Sequence, residues 1–70
     1  MMPLAFADDG EVHVIRAVKG TDEIRRHLSN LGFVVGGTVQ IISRMGGNVI
    51  VNVKEARIAI DEAMARKILI

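Results

Sequence analysis

The run Leu28-Ser29-Asn30-Leu31-Gly32-Phe33-Val34-Val35-Gly36-Gly37-Thr38-Val39 constrains this chain more than any other stretch. It ends a helix on one glycine, turns on two more and launches a β-strand. Upstream, Thr21-Asp22 opens the helix. A Thr or Asp side chain there accepts from the free N–H groups of the first turn, and Asp22 and Glu23 complement the positive end of the helix dipole. Ile24, Leu28 and Leu31 fall at i, i+4 and i+7 and form one buried stripe. Asp22–Arg26 and Glu23–His27 are i,i+4 pairs with the acid on the favourable side. Gly32 sits where a left-handed residue stops a helix. A chain of 70 residues makes a single domain, residues 1–70. The short helix must therefore share one small core with everything around it.

The rest of the chain reads as strands. Glu11 to Val18 is β-branched and apolar, with Val12 and Val14 on one face; Ile15 breaks the alternation, so a bulge or two-sided burial is expected there. Thr38 to Arg44 is a strand with Val39 and Ile41 inward. Met45-Gly46-Gly47-Asn48 is a hairpin signal. Asn48 to Lys54 alternates most cleanly, with Val49, Val51 and Val53 inward and Ile50 outward. Arg57 to Ile60 is another strand, Asp61 caps a short helical turn, and Lys67 to Ile70 closes the chain. The expected fold is mainly β: a small SH3-like β-barrel of about five strands, with one short helix after the first strand. Such a chain removes its strand edges by curling into a cylinder.

Composition narrows the function classes. Half the residues are apolar, which opposes disorder, but only Phe6 and Phe33 are aromatic. The net charge is +1 with both signs interspersed, so neither the basic footprint nor the stacking platform of a nucleic-acid binder is present. With no cysteine, disulfides and thiolate metal sites are excluded. The first residues lack the charged start of a signal peptide, and no apolar run reaches the ~20 residues of a membrane helix. A cytoplasmic protein with no membrane insertion is expected.

No catalytic constellation stands out. Glu23 and His27 share a helix face, but a zinc site takes three or four ligands, and a solvated pair explains them. His13 lies opposite Val12 and Val14 and reads as a surface imidazole. Asp8-Asp9 precede Gly10 and read as a turn, and Asp61-Glu62 as a helix start. The glycine pairs at 36–37 and 46–47 lack the Lys-Ser or Lys-Thr of a phosphate loop. No serine lies in a nucleophile turn. What remains is apolar surface: Ile42, Ile50 and Leu69 break the inward pattern, and Val34, Val35 and Met45 lie near turns. A contiguous group of such residues marks an interaction site. The candidate partner-binding residues are Arg25, Arg26, Phe33, Val35, Ile42, Ile50 and Leu69. No metal ligand set, cofactor or enzymatic activity is expected. Open strand edges and Ile50 also offer a route to weak self-pairing.

Over most of its length the chain resembles the FeoA family, the small cytosolic component associated with the bacterial ferrous iron transporter FeoB. The likeness rests on Pro3-Leu4-Ala5 through Gly10, and on Arg26 to Gly36, which is similar to the family's R-x-L-x-x-L-G-[FIL]-x-P-G segment. It continues in Val39-Gln40-Ile41-Ile42, Arg57-Ile58-Ala59-Ile60 and Ala65 to Ile70. Val35 stands where the family usually has Pro, and Glu55 where it often has Gly. The resemblance implies an SH3-like barrel with a helix inserted after the first strand. It also implies a role in ferrous iron uptake through contact with the transporter's cytosolic GTPase region. It brings no catalytic residues. The same barrel resembles the C-terminal domain of iron-dependent repressors, and the alternative role is a related module that senses ferrous iron or another divalent metal, for which this chain's own residues offer His13, His27 or Glu23.

Overall fold

A computed structural model describes residues 1–70. Its centre is a meander of β3 (Thr38–Met45), β4 (Asn48–Val53) and β5 (Ala56–Asp61), with β1 (Val12–Val14) added at the far side of β3. The sheet order is β1-β3-β4-β5, antiparallel throughout. Two tight turns make the meander possible. Gly46 and Gly47 both take positive φ, and so do Lys54 and Glu55, at 46° and 63°. Two successive left-handed residues form the turn whose twist matches that of paired strands. Val39 and Ile41 pair with Val53 and Val51, and all four are buried. Past Ile41 the register shifts, leaving Ile42 as the extra residue of a bulge.

The expected first strand is divided. β1 pairs with β3, but β2 (Ala17–Val18) pairs with β6 (Ile68–Leu69) in a separate sheet. Ile15 sits at the crossing, fully buried. Its N–H donates to Gly37 C=O at 2.8 Å and its C=O accepts from Gly36 N–H at 2.8 Å. The first bond continues the β1–β3 register by one residue, the second slips to Gly36, and beyond them Arg16 N–H turns to Leu69 C=O at 2.8 Å. The two ends of the described chain meet there too: Met2 and Ile70 exchange backbone bonds of 2.9 and 2.8 Å. The result is a small SH3-like β fold of two sheets and six strands, not the closed cylinder of about five expected from sequence. β1 and β5 remain as edges of the larger sheet.

Helix α1 (Asp22–Leu31) forms where its signals lie. Ile24 N–H donates to Thr21 Oγ1 at 3.2 Å, and Gly32 ends the helix at φ 111°. Phe33 N–H reaches Leu28 C=O and Gly32 N–H reaches Ser29 C=O, both at 2.9 Å. This is a Schellman motif, which brings the residue after the glycine against the last helical turn. Leu28 is fully buried, and Ile24 and Leu31 pack partly buried beside it. Asp22 bonds Arg25 one position nearer than the expected Arg26. A short helix, α2 (Glu62–Ala65), is capped by Asp61, whose Oδ1 accepts from Met64 N–H at 2.7 Å.

A 3-10 turn at Leu4–Phe6, not anticipated from the sequence, buries Leu4 and Ala5. Arg44 holds it in place. The bulge turns Arg44 to the inner side of β3, opposite buried Val49. Its guanidinium donates to the carbonyls of Ala5 (2.8 Å) and Ala7 and to Asp9 (3.2 Å).

Candidate protein interface

The outer face of the large sheet follows from register. Strand side chains alternate, so residues paired across strands share a face. Buried Val39, Ile41, Val49, Val51 and Val53 define the inner face. On the outer face Val12 lies beside Gln40, Asn52 and Arg57, Val14 beside Thr38, and Ser43 beside Ile50 and Ala59. Ile50 thus stands between two small neighbours, and Ile42 is set into the same face by the bulge. Both are half-buried. Val12 is 63% exposed, Val14 47% and Met45 70%. These residues make a mixed apolar and amide surface across β1, β3 and β4.

The seven candidates do not form one patch. Phe33 and Leu69 leave the set, because the structure buries them at 1% and 8% exposure. Phe33 is drawn inward by the Schellman motif. Leu69, expected to face outward, lies between Ala17 of β2 on one side and Pro3 on the other, so its strand is paired on both sides. Val35 is 66% exposed, at the tip of the turn between α1 and β3. Arg25 and Arg26 are exposed on α1, with Arg25 engaged by Asp22. Three places remain: the helix, the turn, and the outer sheet face carrying Ile42 and Ile50.

Val12, Val14 and Phe6 are exposed apolar residues that the sequence reading did not assign to a surface. Pairing with Gln40 and Thr38 turns Val12 and Val14 outward. His13 is inverted correspondingly. It pairs with buried Val39 on the inner face, and its Nε2 is buried without a hydrogen-bond partner, 3.7 Å from the Glu11 carboxylate. It is not the surface imidazole expected. His13 lies on β1 and Glu23 and His27 on α1, and no three His, Asp or Glu side chains gather into a metal-binding group.

Two clefts mark the surface. One of about 360 Å³ lies between the β3–β4 turn and α2, lined by Arg44, Met45, Asn48 and Glu62. Its one cation, Arg44, is already engaged by Asp9 and two carbonyls. The other, about 160 Å³, is a shallow depression on the outer sheet face between Val12, Gln40, Asn52 and Glu55. Neither brings together an acid, a base and a nucleophile. No helix is long and apolar enough to cross a membrane.

Residues 2–70 match the family model for the FeoA domain. The chain belongs to the FeoA family. This FeoA-family chain is 31% identical, over all 70 of its residues and 85% of the relative, to a Methanocaldococcus jannaschii protein named "Putative Fe(2+) transport protein A". Its fold is similar to that of Stenotrophomonas maltophilia FeoA, a procaryotic SH3 domain protein solved in complex with zinc. The TM-score is 0.85 at 27% identity, covering 99% of this chain and 88% of that one. A manganese-dependent transcriptional repressor superposes with a TM-score of 0.84 at 16% identity, over 94% of this chain and 38% of that one. At that identity the likeness is one of fold alone.

Proposed function

We propose that this chain is a non-enzymatic accessory protein of ferrous iron uptake that binds the cytosolic GTPase region of a FeoB-type transporter. The observation that carries the reading is the family match across residues 2–70. The name of the Methanocaldococcus jannaschii relative supports the link to Fe(2+) transport. The surface supports a binding role: Ile42 and Ile50 sit half-exposed among small neighbours, with Val12, Val14 and Met45 on the same face. A partner excluding water from such a patch gains from apolar burial, while Gln40, Asn52 and Arg57 supply a polar rim. The cytoplasm is the compartment in which this partner is met.

The test is an NMR titration of the labelled chain with the isolated GTPase domain of the transporter. Saturable shifts confined to the amides around Val12, Ile42 and Ile50 are expected. Shifts confined to Arg25 and Arg26 would move the interface to α1. No shift at near-millimolar partner would overturn direct binding.

A further inference from the structure

The free edge of β5 is complementary to itself, and we propose that it pairs antiparallel with β5 of a second copy of this chain about a two-fold axis at Ala59. The inference is independent of the transporter reading and rests on backbone parity. The Lys54-Glu55 turn closes on Val53 and Ala56, and the ladder runs without a break through Val51–Ile58 and Val49–Ile60. One step further, Glu62 N–H donates to Gly47 C=O at 3.1 Å. Bonded and non-bonded pairs alternate along an antiparallel ladder, so Ala56, Ile58 and Ile60 direct their N–H and C=O groups to β4. Arg57, Ala59 and Asp61 direct their N–H groups outward. No backbone bond from another segment reaches Ala56–Ile60.

This edge has few of the features that ordinarily block pairing. It contains no proline and no bulge, and it is not covered by another strand. Its charges select the partner. With the axis at Ala59, that residue meets its own copy as a bonded pair, and each Arg57 faces Asp61 of the other copy. Both belong to the outer face, so the opposed charges lie side by side. An axis at Arg57 or at Asp61 sets like charges against each other, which is unfavourable across a pair of strands. An axis at Ile58 leaves each Asp61 beyond the reach of the opposite strand. Of these registers the Ala59 axis alone sets Arg57 against Asp61, whose Oδ1 caps α2 and whose second carboxylate oxygen meets the guanidinium. The small Ala59 side chain also lets the two Ile50 residues flank the junction on one continuous outer face.

The chain has no cysteine, so a single introduced thiol reports the contact. A bonded antiparallel pair holds its Cα atoms ~5.5 Å apart, within disulfide range. Under mild oxidation at near-millimolar protein, Ala59→Cys is expected to form dimer at least about tenfold faster than Met45→Cys, which is exposed but away from the axis, because proximity sets the rate. Arg57→Glu in the Ala59→Cys background should slow the reaction by roughly three- to tenfold, since it sets two pairs of like charges opposed. In the unaltered chain, amide protection at Ala59 and Asp61 should rise with concentration. Equal rates for the two cysteine variants, or protection independent of concentration, would overturn the pairing. Fast cross-linking indifferent to Arg57→Glu would overturn the charge-selected register. Protection at Ala59 that appears only when the GTPase domain is added would assign the edge to that partner instead.

Discussion

Val35 holds the second position of a four-residue turn. Gly37 N–H donates to Val34 C=O at 3.0 Å, and Gly36 takes φ 90°. Val35 itself is not among the residues of positive φ, so the turn is type II, the kind that favours Pro at Val35's position. Its N–H makes no backbone bond, so nothing is lost by removing it. Val35→Pro should therefore raise stability by about 0.5 kcal/mol by restricting the unfolded chain. The urea midpoint should move up with the slope unchanged. Glu55 carries the opposite departure from the family pattern. It holds φ 63° with a side chain, a conformation that costs roughly 1 kcal/mol and that glycine adopts freely. Glu55→Gly should stabilise by about 0.5 kcal/mol after the extra entropy glycine loses on folding, a rise of a few degrees in melting temperature.

Elements were legible where their signals are local. The caps at Thr21, Gly32 and Asp61, the Gly46-Gly47 hairpin and the inward Val49, Val51 and Val53 could each be read within a few residues, and each forms as expected. The strand partition was not legible, because it depends on distant partners. The broken alternation at Ile15 signals an irregularity and full burial follows, but it does not say that the chain will leave β3 for β6, and nothing near His13 says that β1 turns its valines outward. Those outcomes are set by pairing with residues 38–40 and 68–69. The candidate site suffered most, since a surface made by register cannot be seen before register is known. Phe33 is different: an apolar residue just after a helix-ending glycine is itself a local signal of burial against the helix. Phe33→Ala should cost about 3–5 kcal/mol, a large part of the roughly 5–15 kcal/mol typical of a domain, and chemical denaturation would measure it. Arg44 shows how one strand retains another segment. Replacing it by Leu leaves the carbonyls of Ala5 and Ala7 without their donor, for a loss of about 1–3 kcal/mol. Hydrogen exchange should then accelerate in residues 4–7 before it does in β4.

At the scale of the whole molecule, two sheets close around one aliphatic core and leave one broad face uncovered. Leu4, Ile15, Leu28, Phe33, Val51 and Ile68 come from every part of the chain, so the fold has little freedom to deform on binding. Recognition must then come from what the rigid outer face already presents. Ile50 is its most informative residue: it points away from the core, is half-exposed, and has only Ser43 and Ala59 as cross-strand neighbours. Ile50→Glu should leave the melting temperature nearly unchanged, because no core contact is lost. The same change places a carboxylate in the centre of a desolvated contact, and the affinity for the transporter's GTPase domain should fall at least about tenfold. Calorimetric titration with this chain at low micromolar concentration measures that effect alone, since weak pairing between β5 edges is then absent. Arg25→Glu serves as the contrasting variant. If the helix rather than the sheet meets the partner, Arg25→Glu weakens binding and Ile50→Glu does not. The outer-face assignment requires the reverse, because the sheet surface gathers Val12, Val14, Ile42, Ile50 and Met45 on one face, whereas Val35 and Phe6 stand apart from it.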